Sequence, residues 1–285
     1  MRLAAVKQYG PVTAFEFGWS MIGRPSWTVH LYLVDGICID TAQSNLRRQV
    51  INFLGKRHLE QVVLTHHHED HSGNAAVLAS RHKVPVYGHP LAVEKMKAKN
   101  RIFPYQYYIW GPSAPLKMRE LPETVESNRF VLKPFHTPGH SKDHTVYYEK
   151  KNGWLFSGDL YLADRIKYFR SDERMVDQIA SLRKVSALDF EALFCAHNPK
   201  PKDGKAHILK KLQFLEDLFG KIRTLWEKGS TVNEIIRRAG LKESYFVKLI
   251  CLGNVSMRNM VRSAVKSLNE SSADPRALKT PAERK

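Results

Sequence analysis

The sequence predicts a layered α/β fold with a helical C-terminal extension. Three observations carry this. Over the first two hundred residues, short apolar runs alternate with segments of helical period. Several of those runs end in a histidine or an aspartate. From residue 205 the strand-like runs stop and the pattern turns helical.

The elements follow in order. WTVHLYLV (27–34) and GICID (36–40) are strand-like runs split at Asp35-Gly36, a tight hairpin signal. SNLRRQVINFLGKR (44–57) has apolar residues at 46, 50, 53 and 54, with Ser44 as its N-cap. QVVLT (61–65) is a β-branched strand that runs directly into THHHEDHSG (65–73). SGNAAVLASRH (72–82) reads as a helix capped by Ser72, and VPVYG (84–88) as another strand. KNRIFPYQYYIWGPSAP (99–115) is rich in aromatics and prolines and has no clean period, so a long loop or lid is expected there. FVLKPFH (130–136), HTVYYEK (144–150), WLFSGD (154–159) and ALFCAH (192–197) are the later strands, with a helix over 174–187 between the last two.

Beyond them, HILKKLQFLEDLFGKIRTLWEKG has apolar residues at 208, 209, 212, 215, 218, 219, 222 and 225, a helical stripe that stops at Gly229. TVNEIIRRAG and SMRNMVRSAVKSL add helices, and the apolar YFVKLICLG between them is ambiguous. SSADPRALKTPAERK has few apolar anchors. The expected organisation is an α/β domain over 1–204, a helical subdomain over 205–270 and a disordered tail over 271–285.

A chain of 285 residues with 43% hydrophobic and 10% aromatic content fits a soluble globular protein. No apolar run is long enough to cross a bilayer, and MRLAAVKQYG lacks the pattern of a signal peptide. The three cysteines, at 38, 195 and 251, are sparse, odd in number and in no CxxC pair. That argues for a reducing compartment, and a cytoplasmic location is expected. The net charge of +17 permits nucleic acid, an anionic membrane or acidic small molecules as partners; solvated lysines account for it equally well. The charge is uneven: residues 205–285 hold 17 basic and 8 acidic side chains, more than twice as basic per residue as the rest.

THHHEDHSG puts four histidines and two carboxylates within six positions, His66 to His71. PFHTPGHS, LFSGDLY and LFCAHNP share its layout, an apolar strand ending in a metal-capable residue. Loops at strand ends, held by a rigid sheet, are where ligands converge in layered α/β folds. Alone, a histidine such as His197 is usually structural and a Gly-Asp such as 158–159 is usually a turn. Imidazole and carboxylate together suit divalent zinc, and imidazole also suits iron.

THHHEDHSG resembles the T-H-x-H-x-D-H motif of the metallo-β-lactamase superfamily, and TPGHS, SGD and AH resemble its later metal stations in the right order. The resemblance spans roughly residues 15–200. It implies a four-layered αβ/βα sandwich with a metal site at one edge of its two sheets, the C-terminal helices lying outside the shared core. It implies that His66, His68 and His140 hold one metal, that Asp70, His71 and His197 hold a second, and that Asp159 bridges them. Asp70 would also orient the nucleophilic water. The implied cofactors are two divalent ions, zinc first, with iron or manganese as alternatives. His67 and Glu69 fall on variable positions and are read as non-ligands, His136 and His144 as supporting or core residues, and Asp40 as an orienting residue or a strand-end cap.

The implied chemistry is hydrolysis, with a metal-bridging hydroxide as nucleophile. The first expectation is an ester-type hydrolase, a glyoxalase II-like thioesterase or a lactonase acting on a small molecule. In that reading Phe103 to Trp110 would cover an acyl group, Tyr161 would place a phenol near a developing oxyanion, and Lys200 and Lys202 would meet a substrate carboxylate. Packing, a self-pinned loop and a solvated basic loop explain these residues as well. The alternatives are a nuclease or phosphodiesterase using Arg237, Arg238, Arg258 and Arg262, a single-iron persulfide dioxygenase using His66, His140 and Asp159, and a metal-free binding module. Oligomeric state is open.

Overall fold

The computed structural model describes residues 1–20 and 23–273, with side chains to 270. The chain begins with four antiparallel strands, β1 (Arg2–Tyr9), β2 (Val12–Trp19), β3 (Thr28–Val34) and β4 (Ile37–Ile39). After helix α1 (Arg47–Leu54), β5 (Gln61–Val63) joins β4 in parallel. Helices α2 (Glu69–Ser72) and α3 (Ala75–His82) lead to β6 (Val86–Gly88). Helices α4 (Pro90–Met96) and α5 (Pro104–Ile109) precede the edge strand β7 (Arg119–Glu120). These seven strands form one sheet in sequence order.

The second sheet holds β8 (Val125–Glu126), β9 (Val131–His136), β10 (Thr145–Glu149), β11 (Trp154–Gly158) and β13 (Ala192–Cys195), in the order β13-β11-β10-β9-β8. Between β11 and β13 come the short β12 (Phe169–Arg170) and helix α6 (Met175–Ser186), and this crossover makes β11 and β13 parallel. Helices α7 (Gly204–Glu227), α8 (Val232–Arg238) and α9 (Tyr245–Ile250) follow, then β14 (Val255–Ser256), which pairs with β12, and α10 (Met257–Ala273).

Alternation along the strands sets the layers. In β3, Leu31 and Leu33 pack with Val50, Leu54 and Leu78 of the first helical layer. Their neighbours Tyr32 and Val34 face Tyr147, Phe156 and Phe194 of the second sheet. On the far side of that sheet, Leu155 and Leu193 pack against Leu182 of α6 and against Ile208, Leu212 and Leu215 of α7. The result is the expected αβ/βα order. Each fully buried leucine or isoleucine contributes about 1.5–3 kcal/mol. Helices α7, α8 and α10 share the core cluster of the second sheet.

Most elements fall where the pattern places them. The Asp35-Gly36 turn has both residues at positive φ, 45° and 85°, as a two-residue hairpin requires. Thr231 caps α8 reciprocally with Glu234. The β1–β2 hairpin leaves no mark in β1, which is exposed or half-buried throughout and shows no clean alternation. Three expectations need correction. The 99–115 segment contains the helix α5. The helix expected over 72–82 is broken in two: Ser72 ends α2, and its hydroxyl donates to the carbonyls of His67 and His68 and caps nothing. In the same way Ser44 opens a short 3-10 turn with no side-chain cap on the following helix. The tail expected over 271–285 lies outside the described residues from 274 on; the backbone of 271–273 continues α10. Among the described residues no helix is long and apolar enough to cross a membrane.

Candidate metal centre

Strand β5 stops at Val63 and delivers the histidine loop to the edge where both sheets end. The loop turns into α2 at Glu69, which carries Asp70 and His71. Three ring nitrogens then converge: His66 Nε2 lies 2.8 Å from His68 Nδ1, which lies 3.1 Å from His140 Nε2. Beside them is a second group, Asp70, His71, Asp159 and His197. His71 Nε2 and His197 Nε2 each lie 3.3 Å from Asp159 Oδ1. They lie 3.7 and 3.4 Å from Asp70 Oδ2. The other oxygen of Asp159, Oδ2, is 3.3 Å from His140 Nε2. Its two oxygens therefore serve the two groups. The seven residues that the resemblance implies as ligands are brought together, His66, His68 and His140 in one group and Asp70, His71, Asp159 and His197 in the other.

The donor set suits divalent cations. Ligand atoms about 3.3 Å apart are the edges of a tetrahedron with bonds of about 2.0–2.1 Å, the zinc–nitrogen length. His71 Nε2 and Asp159 Oδ1 are buried and have no hydrogen-bond partner. Orphaned polar atoms of this kind are costly, and a cation between them would satisfy both. Burial and then the neighbouring imidazoles push His66 well below the ordinary histidine value; burial and then Arg170 do the same for His68. Both are thus held in the neutral form, the form a metal ion requires. Burial opposes protonation of His71 as well, yet Asp40, Asp159 and Asp70 outweigh it and hold its pKa well above the usual value. Burial is likewise overcome at His197, which Asp159 and Asp70 raise to about 10. Despite their burial, Asp70 is held low by His71 and His197, and Asp159 by His197, His71 and His140. The second group is thus a place that calls for positive charge.

Outer partners fix these side chains. Asp40 has φ 60°, a strained value for a non-glycine residue of the kind that collects at functional sites. Its Oδ1 accepts from the Thr65 amide at 2.8 Å; its Oδ2 accepts from the Thr65 hydroxyl at 2.8 Å and from His71 Nδ1 at 2.7 Å. The Thr65 hydroxyl also lies 3.1 Å from His66 Nδ1. His197 Nδ1 donates to the Thr28 carbonyl at 2.6 Å. His140 Nδ1 is 3.5 Å from Glu173. Binding the far nitrogen in this way selects the tautomer and aims the near one. His144 supports Asp159 from behind, its Nε2 accepting the Asp159 amide at 3.1 Å.

The remaining loop residues have other tasks. His67 lies 2.9 Å from Asp143, and its backbone amide donates to the same carboxylate. Glu69 accepts from Gln106 of α5 at 3.0 Å. His136 bonds the Lys142 carbonyl and stacks on His89. A cleft of about 400 Å³ opens over the two groups, with walls that include Trp27, Tyr105, Trp110, Tyr168 and Val247. Tyr161 is buried, its hydroxyl donates to Asp164 at 2.7 Å, and it lies outside the cleft lining. Lys200 and Lys202 are likewise absent from the lining, as are Arg237, Arg238, Arg258 and Arg262. Sequence reasoning missed Glu173 and Arg170. Each follows Asp159 in a stretch with no periodicity to mark it, and only the fold carries it to the site.

An αβ/βα sandwich whose strand-end loops gather histidines and aspartates at one edge defines a class of metal-binding proteins. The family described as Metallo-beta-lactamase superfamily matches residues 35–197, and the chain belongs to it. A hydroxyacylglutathione hydrolase of Hahella chejuensis is 29% identical over 60% of this chain and 60% of that protein. A Beta-lactamase-like protein 2 homolog of Caenorhabditis elegans is 26% identical over 57% of this chain and 52% of that protein. The chain thus spans between half and two thirds of the length of these relatives. Among solved structures, a Beta-lactamase domain protein from Burkholderia ambifaria superposes with a TM-score of 0.68 at 15% identity, covering 93% of this chain and 89% of that one. A metallo-beta-lactamase family protein from Thermus thermophilus gives 0.60 at 18% identity, covering 89% and 91%. Both show the shared fold.

Proposed function

We propose that the chain is a metal-dependent hydrolase of ester-type bonds in small molecules, thioesters first and lactones second. His66, His68 and His140 would hold one divalent ion, and Asp70, His71 and His197 a second. The observation that carries this reading is Asp159, whose two oxygens each lie 3.3 Å from histidines of a different group. The names of the hydroxyacylglutathione hydrolase relatives support the thioester arm. Zinc fits the mixed imidazole and carboxylate set, with iron or manganese as alternatives.

Two divalent ions supply Lewis acidity toward a carbonyl oxygen and acidify water. The chain supplies the rest. Asp70 stays ionised and is a hydrogen-bond acceptor at the centre, able to orient a water and take its proton. Asp159 holds the two ligand groups in register. Asp40, Thr65, Thr28 and Glu173 fix the imidazoles, so little reorganisation accompanies the reaction. Trp27, Tyr105 and Trp110 give an apolar wall for an acyl group and exclude water from it.

The test is metal quantification on the purified chain, followed by turnover of a thioester, a lactone and a phosphodiester. Close to two ions per chain and turnover of the thioester or lactone are expected. Asp159→Ala should abolish turnover and lower metal content while leaving the circular dichroism spectrum unchanged. A variant that keeps full metal content and activity would refute the bridging assignment; turnover of the phosphodiester alone would refute the ester reading.

A further inference from the structure

Helix α9 and the turn after it leave five large apolar side chains in water. Tyr245, Phe246, Leu249, Ile250 and Leu252 are 42–79% exposed. At helical spacing the first four share an arc of about 140°, one face of the helix. Val247 and Cys251 point the other way and line the cleft over the histidines and aspartates. Helix α9 is therefore a wall of that cleft whose outer side is apolar as well. Trp27, in the same lining, is also exposed and adds an apolar side chain to the rim.

The turn after the helix is costly. Leu252 has φ 50°, at the position where glycine commonly ends a helix. Its amide donates to the Leu249 carbonyl at 3.0 Å, and the Gly253 amide donates to the Lys248 carbonyl at 2.7 Å. A leucine in this conformation is strained, and at 62% exposure no packing in the free chain offsets the strain. The turn is nevertheless held firmly. Asn254 donates to the Tyr105 hydroxyl at 2.7 Å and accepts from the Ser171 hydroxyl at 2.7 Å. Exposed apolar side chains on a fixed frame mark a surface that meets an apolar occupant.

The charge around the patch selects that occupant. Lys248 borders the apolar arc and Lys242 precedes it, and neither forms an ion pair among the described residues. Residues 235–262 hold six basic side chains and one acidic one. That acid, Glu243, is engaged by the amides of Met257 and Arg258, each at 3.1 Å. A second copy of the chain would set Lys242 and Lys248 against their own counterparts. A nucleic acid would find no ring to stack on in Leu249, Ile250 or Leu252. An anionic lipid surface takes both halves, apolar groups among the acyl chains and ammonium groups at the headgroups.

We propose that α9 and the Leu252 turn dock the chain on an anionic lipid surface. The five apolar side chains enter the lipid, and Lys242 and Lys248 meet its headgroups. Docking sets the cleft, of which α9 is a wall, beside the lipid. The proposal stands on the patch and does not depend on the ester-hydrolase reading.

Flotation of the full chain with vesicles tests it, using phosphatidylcholine alone and phosphatidylcholine mixed with phosphatidylserine. Binding to the mixed vesicles should be at least about tenfold tighter than to the neutral ones. Phe246→Ser/Leu249→Ser should weaken it by at least about tenfold with an unchanged circular dichroism spectrum. Lys242→Gln/Lys248→Gln should cut the preference for the anionic vesicles by about tenfold. Absence of binding to either vesicle, or binding that survives Phe246→Ser/Leu249→Ser, overturns the proposal. Dimerisation, or binding of a single-stranded oligonucleotide, that the same two serines abolish while vesicles are not bound would assign the face to a second copy or to nucleic acid, and overturns it too.

Discussion

Lys211 combines a measurable magnitude with a place beside the centre. It lies in α7, is 1% exposed, and its Nζ donates to the Leu160 carbonyl at 2.7 Å, one residue past Asp159. Burial pushes its pKa from 10.5 down to about 8, against the opposing pull of Glu173 and Asp159. In the unfolded chain the amine keeps its ordinary value. Below pH 8 both states carry the proton, and the fold bears the full cost of a buried charge. Between about pH 8 and 10.5 the folded state has released its proton while the unfolded state still binds one, so stability rises with pH across that window. The displacement corresponds to about 3 kcal/mol. Lys211→Met removes the titrating group while keeping most of the side-chain volume. Urea unfolding of both chains on either side of the window cancels every other titration. The stability of wild type relative to the variant should climb by about 3 kcal/mol from the acid to the alkaline side. A relative stability that stays within about 0.5 kcal/mol across the window would show that the ammonium is not desolvated as described.

Three further outcomes can be checked. Asp40→Asn keeps the shape but weakens the acceptor for His71 Nδ1, and should lower metal affinity by about 10- to 100-fold in a chelator competition; an unchanged affinity would place the orientation of His71 elsewhere. Gly158→Ala puts a methyl 2.8 Å from His144 Nε2 and from the Thr65 side chain at φ +47°, and should cost at least about 2 kcal/mol in denaturant unfolding. A variant as stable as wild type would mean that the strand end relaxes freely. Tyr161→Phe should leave kcat within about twofold and lower stability by about 1 kcal/mol through the lost bond to Asp164. A large loss of kcat at unchanged stability would restore the phenol to the reaction.

The legible parts were those governed by local rules. Strands buried on both faces wrote themselves as apolar runs, as in TVYYE and WLFSG, and the Asp35-Gly36 turn declared its hairpin. The clustered histidines and aspartates were legible because the loops that carry them follow such runs. The exposed β1 and the helix within the aromatic segment left no comparable periodicity. Tyr161 shows the limit: next to Asp159 in a strand-end loop, it had the right neighbours in sequence, but its side chain turns into the C-terminal helical layer, toward His207.

By itself, then, the sequence determined which metal-capable side chains its strand-end loops carry, in which order, and that alternating apolar runs must carry them on a layered α/β frame. The tertiary structure decided the rest: that one oxygen of Asp159 faces His140 while the other faces His71 and His197, that Glu173 and Asp40 stand behind the imidazoles, and that Arg170 lines the cleft with His68. Period and spacing report the direction of a side chain relative to its own strand or helix. Which groups from distant elements meet depends on how two sheets stack and where their strands end, and that is a property of the packed core.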